Sequence, residues 1–183
     1  GTITGNTAEY GGILVGTYST NYTMQNNFSN PAHYYSTGTL NLKGGTISNN
    51  TAAVLGGGIA VNGTGKLTMD GGTISGNKAP FGGGIGVVDY LTSADGKRFG
   101  ETRWRGFFPA SVTINDGLIT GNEATMTAVT SQITDPNAEN GVGGGMYVAS
   151  KEVYINGGQF TNNTAGKQGG GIYVASVPYK LQI

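Results

Sequence analysis

One short pattern recurs along this chain and restricts what it can become. A copy runs from Leu40 to Lys66 (LNLKGGTISNNTAAVLGGGIAVNGTGK), and another from Val153 to Lys180 (VYINGGQFTNNTAGKQGGGIYVASVPYK). Between them stand LTMDGGTISGNKAPFGGGIGV from Leu67 and VTINDGLITGNEA from Val112, the latter resumed as GGGMYV at Gly143. A partial copy, GTITGNTAEYGGILV, opens the chain. A repeat of roughly 27 residues signals a stacked architecture in which each unit covers the apolar face of its neighbour.

Within the unit, apolar residues alternate in three short segments. The first carries Leu40/Leu42, Leu67/Met69, Val112/Ile114, Val153/Ile155 and Leu181/Ile183. The second carries Ile3, Ile47, Ile74, Ile119 or Phe160, and the third carries Ile13/Val15, Ile59/Val61, Ile85/Val87, Met146/Val148 and Ile172/Val174. A period of two is the mark of a strand, and Gly-Gly, Gly-Asn or Asn-Asn, and Gly-Gly-Gly separate the segments as turns. The expected fold is therefore all-β: a right-handed parallel β-helix of about four coils, with equivalent residues stacked about 4.8 Å apart. Three residues after the second apolar position stands Asn6, Asn50, Asn77, Asn122 or Asn163, and two further on is an Ala in every copy. An inward Asn at a corner can bond both the backbone and the Asn of the next coil, so these five are read as structural.

Glycine is the compositional outlier, with 35 in 183 residues. The collagen period is missing and 37 % of the chain is hydrophobic, so Gly marks recurring backbone positions instead. Net charge is zero and charged residues make up 11 %, which leaves no footprint for nucleic acid. Without cysteine there is neither a disulfide nor a thiolate metal site. His33 is the only histidine, and no metal or cofactor is expected. The chain starts and stops inside its own motif, so it reads as one β-helix segment of a longer protein, the rest of which would stack on both coil ends.

The pairing of GGGI-type with FxxN-type elements resembles the repeats of chlamydial polymorphic membrane proteins and related bacterial surface proteins. Phe160 to Asn163 followed by Gly169 to Ile172 carries that pattern, as do the Ile-substituted copies Ile47 to Asn50 with Gly56 to Ile59, and Ile74 to Asn77 with Gly82 to Ile85. The resemblance implies a pectate-lyase-like β-helix at the bacterial cell surface or secreted, acting in adhesion. Ile in place of Phe in four of the five copies is a departure from it.

Function is expected where the repeat is interrupted, because insertions become loops on one face. The interruptions are 16–39, 88–111 and 125–142. The first two fall at the same corner, two coils apart. They hold Tyr18, Tyr22, Phe28, Tyr34, Tyr35, Tyr90, Phe99, Trp104, Phe107 and Phe108, and the second holds every arginine. Two readings stand side by side. The aromatics form a small satellite core under the loops, or some are exposed and bind a glycan or a host surface protein, as aromatic and Arg anchors do. For binding, the candidates are Trp104, flanked by Arg103 and Arg105, with Tyr90, Tyr34 and Tyr35. No catalytic residue is assigned.

The leading functional expectation is a non-enzymatic stalk or adhesin. The alternative is a fragment of a carbohydrate-active β-helix enzyme, a polysaccharide lyase or glycoside hydrolase. Asp70 and Asp116, near the ends of first segments in adjacent coils, are its paired-carboxylate candidate, although Asp-Gly is equally a turn former. Asp89, Asp95, Glu101 and Arg103 offer a second grouping. A partial outward ladder of Thr2, Thr46 and Thr73, interrupted by Leu118 and Gln159, raises the separate idea of a flat crystal-binding face.

Overall fold

The computed structural model describes residues 1–16, 38–89, 110–127, 140–175 and 181–183, with the backbone at 91–92 and 98–99. Among these residues the protein is all-β, without helix. Three parallel sheets contain nearly all the strands. The chain passes from the first sheet to the second to the third and then begins again, so each complete passage is here termed a round.

The first sheet holds eight strands and contains both the first and the second apolar segments of the repeat. Its longest members are Lys66–Ser75 and Ser111–Thr120. The second sheet consists of Thr7–Tyr10, Thr51–Leu55, Lys78–Ala79, Glu123–Ala124 and Thr164–Ala165. The third consists of Ile13–Val15, Ile59–Asn62, Ile85–Val88, Met146–Ala149 and Ile172–Val174. Within the second and third sheets, spatial order follows chain order. Stacked parallel sheets visited in a fixed sequence are consistent with a parallel β-helix.

Register follows the repeat. Ile3 pairs with Ile47, Ile47 with Ile74, Ile74 with Ile119, and Ile119 with Phe160. In the third sheet Val15, Val61, Val87, Val148 and Val174 form one file. Because strand side chains alternate, a file on one face stays on that face through every round. The inward files merge into one core of Ile, Val, Leu and Met, among them Ile59, Met69, Ile74, Ile85, Ile114 and Ile119, all fully enclosed.

The division into strands differs from the sequence expectation. Gly44-Gly45 and Gly157-Gly158 separate two strands as expected, but Lys66–Ser75 runs unbroken through Gly71 and Gly72, where φ of +95° at Gly72 bends the chain while pairing continues on either side. The segment around the recurrent Ala instead makes a sheet of its own, with Ala8 opposite Ala52 and Ala79 opposite Ala124. Three of its five strands have only two residues, too few to show a period of two, and a methyl is a weak apolar signal, so this sheet is hard to see in the sequence.

A second apolar cluster lies outside these inward files. Tyr10, Leu55, Phe81 and Val142 succeed one another from round to round. They pack with Val54, Ala60, Val88, Tyr147, Ala149 and Ala175, and Tyr173 lies partly buried against them. Ala60, Gly86, Tyr147 and Tyr173 are the residues that alternate with the inward Ile and Val of the third sheet, so this cluster covers that sheet's outer face. Phe81 meets Tyr147 edge-on with ring centroids 5.3 Å apart, and Tyr147 stacks on Tyr173 at 5.9 Å.

Candidate functional site

The binding candidates Tyr34, Tyr35, Tyr90, Arg103, Trp104 and Arg105 lie outside the described residues, as do His33, Asp95 and Glu101. Of the insertion 88–111, the described backbone includes Leu91–Thr92 paired antiparallel with Arg98–Phe99. Polar chemistry among the described residues gathers at three places.

The first is the corner between the first and second sheets. The backbone must turn sharply there, and the residue before each Asn has a left-handed φ: Gly5, Asn49, Gly76, Gly121 and Asn162. Glycine adopts this conformation without strain and Asn is the side chain that tolerates it best, which explains why the motif alternates between Gly-Asn and Asn-Asn. The Asn that follows points inward. Asn6 donates through both its backbone N–H and its Nδ2 to Asn50 Oδ1, at 2.9 Å each. Asn50 does the same to Asn77, Asn77 to Asn122, and Asn122 to Asn163, all at 2.9–3.0 Å. The second hydrogen of each later Nδ2 goes back one round, to the carbonyls of Ile3, Ile47, Ile74 and Ile119. A buried Asn such as Asn77 thus uses both Nδ2 hydrogens and both Oδ1 lone pairs. Asn50, Asn77 and Asn122 therefore have all their side-chain capacity engaged in stacking, with none left over for a ligand.

The second place is the Gly-Gly bend of the first sheet. The register sets Asp70 opposite Asp116, with irregular pairing on either side of Asp116. Asp70 Oδ1 accepts from Asn115 Nδ2 at 2.7 Å, and Asn115 Oδ1 accepts from Asn156 Nδ2 at 2.8 Å. Asp116 Oδ1 accepts from the N–H of Gly117, at 2.7 Å. The two aspartates are neighbours, as the enzyme reading required, but on this exposed bend Asp116 accepts from its own turn and Asp70 from the Asn115 side chain of the next round.

The third place is Asp89, at the end of Ile85–Val88, next to Ser150 and Ala110. Burial raises the Asp89 carboxyl above its ordinary value; the Ser150 hydroxyl, the Ala110 backbone and the charge of Lys151 oppose this, while Glu152 adds to it. Asp89 Oδ1 is enclosed without a hydrogen-bond partner among the described residues. The repeat alignment that sets Val87 opposite Val148 also brings Asp89 level with Ser150; what it does not show is their burial, nor that the Ser150 hydroxyl donates to the Ala110 carbonyl. Among the described residues, no three His, Cys, Asp or Glu side chains converge to hold a metal.

Comparison of the chain with family models, with curated proteins and with solved structures finds no match.

Proposed function

We propose that this chain is a segment of a right-handed parallel β-helix, extracellular or displayed on a bacterial surface. In this reading it works without catalysis as a stalk or adhesin, and the insertions 16–39 and 88–111 present its contact surface to a glycan or a host surface protein. The observation that carries the reading is the in-register stacking of like residues through successive rounds, sealed by the Asn files. Such stacking builds length and stiffness from contacts between neighbouring rounds alone. The right-handed sense follows from the strong preference of parallel crossovers for that hand. The likeness of the GGGI and FxxN elements to chlamydial surface repeats supports the setting. Aromatic and Arg residues concentrated in two insertions support the assignment of contact to Trp104, Arg103, Arg105, Tyr90, Tyr34 and Tyr35.

The test is a glycan array probed with the chain and with its Trp104→Ala variant, both checked for equal unfolding midpoints. Glycan binding that the variant loses supports the contact surface. Binding that survives the substitution moves the site off Trp104. No binding by either protein removes the glycan from the proposal and leaves a spacer.

A further inference from the structure

The bend that carries Asp116 has a chemical consequence. Asp70-Gly71 and Asp116-Gly117 are the same dipeptide at paired positions of adjacent rounds, and both aspartates are exposed. Their side chains are held differently. Asp70 is drawn sideways to Asn115, and Asn115 is in turn braced by Asn156. Asp116 folds back on its own chain, so that its Oδ1 sits 2.7 Å from the Gly117 nitrogen. The carboxyl carbon is one bond away from that oxygen, which keeps it close to the same nitrogen. Asp116 stands opposite Asp70, and pairing with the preceding round shifts register on both sides of it, so the ladder is irregular at this peptide. Gly117 has φ of +124° and no side chain to obstruct closure of a ring.

We propose that Asp116-Gly117 is a site of spontaneous aspartate isomerisation in the folded protein, and that Asp70-Gly71 is protected. The Gly117 nitrogen attacks Cγ of the protonated Asp116 carboxyl and forms the N–Cγ bond. The nitrogen loses its proton, and the carboxyl hydroxyl leaves as water, giving a five-membered succinimide. Water then opens the ring. Attack at Cγ restores aspartate, whereas attack at the former main-chain carbonyl yields isoaspartate, with the backbone now routed through Cβ and Cγ. No oxidant, reductant or further reactant takes part, and the mass returns to its starting value. The product inserts one extra backbone atom at the bend and transfers a free carboxylate to the α-carbon, which is the group an isoaspartate-directed carboxyl methyltransferase recognises.

The test is to hold the intact chain at 37 °C in mildly acidic and neutral buffer and sample it over weeks. Peptides are mapped with Asp-N, which cuts before aspartate but not before isoaspartate, and the product is confirmed by methyltransferase labelling. In the folded chain, isoaspartate should accumulate at position 116 about tenfold faster than at 70, because placement of the reacting atoms differs while the dipeptide does not. In urea the ratio should fall to about one. Removing the brace with Asn115→Ala should raise the rate at 70, and Asp116→Glu should abolish the product at 116. A ratio near one in the folded chain, or faster reaction at 70, overturns the proposal. A preference for 116 that persists unchanged in urea also overturns it, because the cause would then be sequence and not fold.

Discussion

The Asn corner and the outer face of the third sheet stack with equal regularity but achieve it by opposite means. At the corner every round supplies the same residue, and a single hydrogen-bonding unit repeats from Asn6 to Asn163. On the outer face the successive residues are Leu14, Ala60, Gly86, Tyr147 and Tyr173, and no two neighbours match until the last pair. There each residue is fitted to a particular partner. A Cβ on Gly86 would stand 2.4 Å from Leu55 Cδ1, so Gly86 is the space that Leu55 fills. Tyr147 is accommodated by Phe81 on its edge and Tyr173 on its face. Repetition solves the polar problem because a hydrogen-bond donor needs one defined acceptor. Apolar contact has no such pairing rule and is satisfied by complementary volume.

The polar corner should respond most strongly to substitution. Asn77→Ala leaves the buried backbone N–H and Nδ2 of Asn50 without their acceptor, and should destabilise the chain by about 4 kcal/mol in urea unfolding. Half-buried Asn163, replaced in the same way, should cost clearly less. Equal losses at the two positions would mean that burial does not set the strength of the ladder.

Next in size is the outer face. Gly86→Ala drives a methyl into Leu55 and to within 2.8 Å of the Gly56 nitrogen, and should cost about 2 kcal/mol by overpacking. Adding Leu55→Val should recover part of that loss. A double variant whose effects simply add would show that the face is plastic and not fitted.

The smallest effect concerns Asp89, beside the same face. Burial raises its folded carboxyl above the unfolded value of 3.8. Below that pH the group is protonated in both states and nothing is lost. As pH climbs through 3.8 toward the folded value, the unfolded chain gives up its proton more readily and stability falls. Asp89→Asn should therefore unfold at a higher temperature than the parent at neutral pH, with the gap closing as pH drops toward 3.8. A gap independent of pH would assign the effect to hydrogen bonding around residue 89 instead of to charge.

The same contrast explains how much of the molecule is legible in its sequence. Inward files could be read because identity repeats: Ile47, Ile74 and Ile119 occupy one register, and the register in the fold is the register of the alignment. The Gly-Asn and Asn-Asn pairs could be read as turns, but the left-handed residue is the one before the inward Asn and not the inward Asn itself, which the sequence pattern does not distinguish. The Ala sheet was hidden by its shortness. The outer cluster was hidden because Tyr10, Leu55, Phe81 and Val142 share a file without sharing a residue type, so no column appears. The aromatic insertions contain no repeat at all. Their proposed contact residues rest on composition, which names the chemistry but supplies no register from which to place it.

The ladder also has a direction. Along the Asn file each amide hands one hydrogen to the Asn of the round that follows and offers its oxygen to the Asn before, so the amide dipoles from Asn6 to Asn163 add head to tail and strengthen one another. Every round therefore presents the same socket behind and the same plug ahead. A round duplicated or deleted whole would leave this wiring intact, and the chain's length could change through gene duplication without redesign of the joints.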